Sequence, residues 1–308
     1  MASVTTTSPN AGEKTLQGGL MAGLAAYLLW GFLPLLFKYL DGVPTPTVVA
    51  DRTLWSLVLV GAILVVVGRT AEIRAALADP ATLRSMFISS LLLAANWLIY
   101  VYAVETAQVL EAAFGYFVNP LVNVAIGMVL LGERQNRWQV VSIVIAAVAI
   151  GIQAVGLAGI PFIALGLAFS FAAYGYFRKT ARVSSATGLF VETLLLAPVA
   201  VACLAFTFIA DGGVGPHGDP ATLGLLILTG PATAVPLLLF AFAVQRLRLT
   251  TIGMLQYLAP SIAFILAITL FGEHLNPLRL LSFGLIWLSL IVYTVDSVVR
   301  RRHSARPA

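Results

Sequence analysis

Hydrophobic positions along this chain fall into long runs, separated by short breaks that hold most of its charged residues. A helix that crosses the roughly 30 Å hydrocarbon core of a bilayer needs about 20 mostly apolar residues, and ten runs reach that length. They lie at about 17–39, 45–68, 82–104, 109–131, 137–156, 160–178, 186–210, 220–243, 250–272 and 277–299. The pattern predicts an all-α membrane protein with ten transmembrane helices. Five runs come before residue 157 and five after it. Because five is odd, the second set enters the membrane from the opposite side. That gives two inverted five-helix repeats around a central cavity, a build found among secondary transporters. The predicted organisation is a polar cytoplasmic segment over 1–16, repeats over 17–156 and 157–299, and a basic cytoplasmic tail over 300–308.

Composition agrees with the span count. The 308 residues are 60% hydrophobic and 10% charged, with a mean hydropathy of +0.96, well outside the range of ordinary soluble domains. The net charge of +5 is explained by location and is not the footprint of nucleic-acid binding. All the lysines and arginines except Lys38, Arg52 and Arg279 lie near one predicted side, in the termini, in breaks or at the adjoining span ends. Positive-inside bias puts that side, and both termini, in the cytoplasm of a bacterial inner membrane. Arg300-Arg301-Arg302 then reads as a membrane-surface anchor. Residues 1–16 lack the features of a cleavable signal peptide, and the first apolar run is too long for a signal core. Cys203 is the single cysteine, so no intrachain disulfide is expected. His217, His274 and His303 are far apart and in no metal-ligand pattern. HExxH, GxSxG and Walker-type glycine motifs are all missing from the sequence. No cofactor, metal or ATP-driven step is therefore expected of this chain, and an intramembrane enzyme would lack clustered catalytic groups.

An offset of 140 residues aligns the ends of the two halves. Pro120 through Gly132-Glu133 falls on Pro260 through Gly272-Glu273, Asn136 on Asn276, and Ala103-Val104 on Ala243-Val244. The loop charges change as inversion demands. Gly132-Glu133-Arg134-Gln135-Asn136-Arg137 carries two arginines, whereas Gly272-Glu273-His274-Leu275-Asn276-Pro277 carries none. Glu133 and Glu273, beside glycine at helix ends, read as capping residues.

The stretches LEAAFGYFVNPLVNV (110–124), IALGLAFSFAAYGYFRK (163–179), VETLLLAP (191–198) and RLRLTTIGMLQYLAP (246–260) are similar to the RarD proteins, in the EamA group of the drug/metabolite transporter superfamily. The resemblance covers nearly the whole chain. It implies ten helices in two inverted repeats about a central cavity, and the movement of small metabolites, with aromatic amino-acid export in one relative. Asp51 stands before Arg52 where that family leads one to expect histidine, so a pH-sensing role does not carry over to this position.

Several residues within the spans are candidates for chemistry. Arg52 and Glu192 are mates at the 140 offset, and each costs roughly 2.5–3.5 kcal/mol at a helix centre unless it faces protein or water. They either gate the path or contact substrate, or they are neutralised locally: Arg52 by Asp51, and Glu192 by Arg178, Lys179 or Arg182. On the fourth span Tyr116, Asn119 and Asn123 fall within an arc of about 60°, a polar face without net charge that suits a zwitterionic or neutral solute. Asparagines in membrane helices also act as interhelical glue. Asn96 with Trp97 and Tyr100, Trp30 in the first span and Tyr174 in the sixth could form polar-aromatic walls or simply pack. Gln256 and Tyr257 join the candidate set on the ninth span. Glu111 reads as a helix-end carboxylate. Pro120 and Pro260 remove hydrogen bonds to the carbonyls of Tyr116 and Gln256, which makes them candidate hinges or static kinks.

These features predict a secondary transporter that moves a small organic metabolite, an amino acid or related compound, by alternating access. Export as the direction rests on the resemblance. The alternatives are export of amphipathic drugs such as chloramphenicol-like compounds, and a facilitative channel. A phosphorylated-sugar carrier would need several basic residues within the spans, and only Arg52 is clearly there. The expected partners are the solute and the bilayer, with no nucleic acid. Two repeats in one chain make a monomer sufficient.

Overall fold

The computed structural model describes residues 9–155, 160–210, 212–270 and 277–304. All regular structure among them is helical: α1 (Pro9–Lys38), α2 (Thr45–Val66), α3 (Thr70–Ala78), α4 (Pro80–Glu105), α5 (Val109–Leu130), α6 (Arg137–Ala154), α7 (Phe162–Thr180), α8 (Ser185–Ala210), a 3₁₀ turn at Gly215–Gly218, α9 (Pro220–Val244), α10 (Leu249–Gln256), α11 (Leu258–Thr269) and α12 (Pro277–Ser304). Among the described residues nine stretches are long and apolar enough to cross a membrane, where the sequence pattern predicts ten. The difference is α7. It forms at the expected place, but Arg178 and Lys179 in its last turn cut its apolar run short. Two further departures have local causes. α3 is an unexpected surface helix, too short to have been read as a span. The ninth predicted span divides into α10 and α11 at Tyr257, one turn before Pro260, whose missing N–H and ring disfavour straight helix there.

The repeat is written into where helices begin. α2 and α8 start at Thr45 and Ser185, α4 and α9 at Pro80 and Pro220, α5 and α10 at Val109 and Leu249, and α6 and α12 at Arg137 and Pro277, each pair 140 residues apart. For α4 and α9 the start signal is one pentapeptide used twice, Asp79-Pro80-Ala81-Thr82-Leu83 and Asp219-Pro220-Ala221-Thr222-Leu223. Asp79 Oδ2 accepts from Thr82 N (3.0 Å) and Thr82 Oγ1 (2.5 Å). Asp219 Oδ2 accepts from Thr222 N (2.8 Å) and Thr222 Oγ1 (2.7 Å). An aspartate cap followed by proline in the first turn is a strong helix start, since proline gives up only an N–H that has no helical partner. The threonine hydroxyl, then its N–H, hold each carboxyl below the ordinary aspartate range.

The chain forms two compact units, one of residues 1–91 with 175–248, the other of 92–174 with 249–308. The division runs through α4 and α7, so each unit draws on both sequence repeats.

In the first unit α2 packs on α8 and α9, and α1 on α9. α2 and α8 are repeat mates, and they run antiparallel. Cys203 Sγ reaches Pro46 O near one end (3.8 Å), Gly61 lies against the Phe190 ring, and Thr187 Oγ1 donates to Glu72 Oε2 beyond the other (3.1 Å). The α2–α9 crossing is close because Gly230 has no side chain. Trp55 fills the space a Cβ there would need, and Ser56 Oγ donates to Gly230 O at 3.1 Å.

The second unit repeats the rule twice. α5 packs on α10 and α6 on α12, again antiparallel mates. Ser142 Oγ donates to Ser289 O (2.7 Å), and Ser282 Oγ to Ala149 O (2.8 Å). Since 142 and 282 are mates, as are 149 and 289, this is one contact made twice about a local pseudo-two-fold axis. Glu133 caps α10 as expected, accepting from Leu249 N (2.6 Å) and Thr250 N (3.0 Å). Its mate Glu273, with His274 and Asn276, lies outside the described residues. Glu111 caps α7 through Ile163 N (2.8 Å).

Candidate functional site

The second unit gathers three amides from two helices. Asn123 Nδ2 on α5 donates to Asn119 Oδ1 (3.1 Å) and to Gln256 Oε1 on α10 (2.8 Å). All three residues are buried. The helices approach this closely because position 253 is glycine: a Cβ there would stand 2.6 Å from the Pro120 carbonyl oxygen. With both amide protons of Asn123 used, its Oδ1 remains a buried acceptor without a hydrogen-bond partner. A group of this kind is costly to bury and is suited to meet a donor. Tyr257, next to Gln256, is fully buried among Phe114, Phe117, Met254 and Phe283, and its hydroxyl too has no partner.

The rest of the expected polar face divides. Tyr116 is 41% exposed, and its ring centroid lies 6.5 Å from that of Tyr100. Asn96 is buried, and its Nδ2 donates to Leu167 O and Ser170 Oγ, both at 3.0 Å, tying α4 to α7. That is the glue geometry. Tyr174 is fully buried, 5.7 Å from Phe171 by centroids. Of the two proline sites, α5 continues through Pro120, whereas the α10–α11 break at Tyr257 precedes Pro260.

The first unit holds the buried charges. Arg178 Nη1 lies 3.5 Å from Glu192 Oε1, and both side chains are wholly excluded from solvent. Ser89 Oγ donates to the same carboxylate oxygen (2.5 Å), and Arg178 Nη2 donates to Ser185 O (2.9 Å). The guanidinium occupies the space that a Cβ at Gly188 would take. Of the three cations considered for Glu192, Arg178 is therefore its partner, while Lys179 caps the α9 end by donating to Val244 O and Leu247 O. Local neutralisation of Arg52 by Asp51 is one of two readings of the sequence, and the Asp51 carboxylate has a different partner. Asp51 Oδ2 pairs with His217 Nε2 at 2.8 Å, which ties the 3₁₀ turn to α2. At Arg52 the backbone carbonyl accepts from Ser56 Oγ (2.5 Å). Trp30 packs 5.4 Å from Tyr27 and 5.8 Å from Phe240, an aromatic seam between α1 and α9.

Ser89, Gly188, His217 and Gly253 escaped sequence reasoning. Each earns its place through a partner on another helix, and no local motif marks them. Among the described residues no group of three His, Cys, Asp or Glu could hold a metal ion.

Comparison with known proteins places this geometry in a family. Residues 17–153 and 158–295 each match the EamA-like transporter family. Protein RarD of Escherichia coli strain K12 is 37% identical over 296 residues, covering 96% of this chain and 99% of that protein. Protein RarD of Salmonella typhi is 40% identical over 292 residues, covering 94% and 98%. An uncharacterized transporter of Vibrio cholerae is 35% identical over 301 residues, covering 96% and 98%. A protein of known crystal structure shares the fold with a TM-score of 0.73 at 18% identity, over 91% of this chain and 98% of that one. With two matched copies of the family repeat and full-length RarD relatives, this multi-pass membrane protein belongs to the EamA-like transporter family, in its RarD group.

Proposed function

We propose that the chain is a ten-span carrier of the bacterial inner membrane, with both termini cytoplasmic, that exports a small amino-acid-like metabolite by alternating access. The observation that carries this reading is the antiparallel pairing of repeat mates, α2 with α8, α5 with α10 and α6 with α12. Helices related by a fixed sequence offset yet running in opposite directions are what an inverted repeat requires, and inverted repeats are how many carriers expose one site to either side. In this reading α7 counts as the tenth span. Its basic last turn, held by Glu192 and by the α9 carbonyls, sits at the membrane surface and not within it.

The amide cluster of Asn119, Asn123 and Gln256 supports a solute with hydrogen-bond donors and no large net charge. The orphan Oδ1 of Asn123 is an acceptor for an ammonium or amide group of the solute, with Tyr116 and Tyr257 as aromatic neighbours in sequence. Arg52 and the Arg178–Glu192 pair set the gates, and the break before Pro260 is the bending point. A second reading, export of an amphipathic drug, is favoured by a relative named chloramphenicol-sensitive protein RarD in Pseudomonas aeruginosa, 27% identical over 292 residues.

Uptake into proteoliposomes tests both readings, using a labelled amino-acid panel with chloramphenicol added, with and without a pH gradient. Saturable uptake of an amino acid, lost in Asn119→Ala while the protein still melts cooperatively, is the expected result. Transport of chloramphenicol alone would replace the amino-acid reading with the drug reading.

A further inference from the structure

Apart from its buried charges, the first unit contains an open cavity of about 440 Å³ with two kinds of wall. One wall is polar and basic, made by Arg69, Gln245 and Arg246; the other is apolar, made by Leu238, Leu239 and Phe242. Their positions order them by depth. Arg69 stands between α2 and α3, and Gln245 is the C-cap of α9, so the polar wall lies where spans end. Leu238 is seven residues earlier on α9, about 10 Å deeper at 1.5 Å per residue.

Both arginines are held in place. Glu72 grips Arg69 through Nε–Oε1 (2.7 Å) and Nη2–Oε2 (2.6 Å). Arg246 donates from Nη1 to Phe242 O (3.0 Å) and lies 3.4 Å over the Phe242 ring. Glu72 is itself anchored by Thr187 Oγ1 (3.1 Å). With one carboxylate against two guanidiniums, a single positive charge is left over at the mouth.

We propose that this cavity binds one anionic phospholipid, with the headgroup phosphate at Arg69 and Arg246 and the start of an acyl chain on Leu238, Leu239 and Phe242. A soluble anion would use the arginines but gain nothing from a hydrophobic wall one to two turns deeper. A zwitterionic lipid would bring its own cation to a site already in positive excess. Only a lipid with net negative charge matches both walls and their order. Basic pockets between membrane helices on the cytoplasmic side take anionic headgroups. In the orientation proposed above the lipid belongs to the cytoplasmic leaflet, although the binding argument does not need that assignment.

Native mass spectrometry of the full chain, released from vesicles of mixed phosphatidylglycerol and phosphatidylcholine, tests the proposal. One phosphatidylglycerol per chain should survive release, and excess inorganic phosphate, which competes for the arginines alone, should not displace it. Losing both arginines in Arg69→Gln with Arg246→Gln should weaken retention roughly tenfold or more. Leu239→Trp, which crowds the apolar wall and spares both cations, should also lose the lipid, whereas Arg74→Gln, at an exposed position of α3 outside the cavity lining, should retain it. Melting of each variant shows whether it is folded. Equal retention of phosphatidylcholine, or full retention by a folded double arginine variant, overturns the proposal. Displacement by phosphate with Leu239→Trp unaffected would mean a soluble-anion site and overturn the lipid assignment.

Discussion

Glu192 and Arg178 are worth separating from the other polar residues because neither touches solvent. Two charges taken out of water recover that cost only when each has a partner and its remaining donors and acceptors are used, and removing one of them strands the other. Ser89 and Ser185 supply further hydrogen bonds and the glycine at 188 leaves room for the guanidinium, while Arg178 Nε stays buried without a hydrogen-bond partner. Glu192→Ala should therefore destabilise the protein by about 3–5 kcal/mol, the usual cost of breaking a buried pair. Replacing both partners with apolar side chains, Arg178→Met with Glu192→Leu, should cost clearly less than the sum of the single changes. Unfolding of detergent-purified protein measures this, and simple additivity would show that the pair is not coupled. The same logic places Asp51 and His217. They are 166 positions apart in sequence and share a hydrogen bond at 2.8 Å.

At the scale of helices the repeat makes a sharper forecast. Ser142 and Ser282 make the same hydrogen bond from opposite sides of one helix pair. Interhelical hydrogen bonds within membranes contribute about 0.6 kcal/mol on average, because the unfolded chain in lipid also finds partners. Ser142→Ala and Ser282→Ala should each cost about that much or somewhat more, because each hydroxyl has a second partner: Ser142 Oγ meets Ser289 Oγ at 3.0 Å, and Ser282 Oγ accepts from Gln153 Nε2 at 2.7 Å. Unfolding in mixed detergent micelles reads the difference. A large loss at one position and none at the other would mean that the two contacts are not equivalent. Helix starts are legible from chemistry such as the repeated Asp-Pro-Ala-Thr-Leu. Helix interiors are less so: nothing short-range distinguishes Pro120, through which α5 continues, from Pro260, before which the helix breaks.

For the whole molecule the proposed orientation is open to direct measurement. In a Cys203→Ala background, a cysteine at Gly213 between α8 and α9 should react with a membrane-impermeant maleimide in intact cells. Cysteines at Thr15 and Val299 should react only after the membrane is opened. Labelling of Val299 from outside, with Thr15 and Gly213 protected, would mean an odd span number and remove α7 from the count. The charge distribution behind this expectation is a whole-chain property. Lys14, Arg69, Arg182, Arg246 and Arg300 are assigned to one side only because the spans between them are counted.

Much of this protein follows from its sequence alone, because the deciding forces are local. Length and hydrophobicity of a run determine whether it crosses a bilayer, caps and prolines determine where it starts, and a constant offset of 140 exposes the duplication. Those features determined the helical membrane class and the positions of the long helices, and the resemblance of stretches such as 110–124 and 246–260 pointed to the family. The tertiary structure decided which groups meet. Glu192 selects Arg178 over Lys179 and Arg182 and finds Ser89 103 positions away, Asp51 selects His217 over its neighbour Arg52, and Asn123 finds Gln256 while Tyr116 on the same helix stays exposed. Helical periodicity states which residues share a face of one helix. It does not state which other helix lies against that face, because that depends on close approach at small residues such as Gly188, Gly230 and Gly253, and hence on packing that exists only once the helices have assembled.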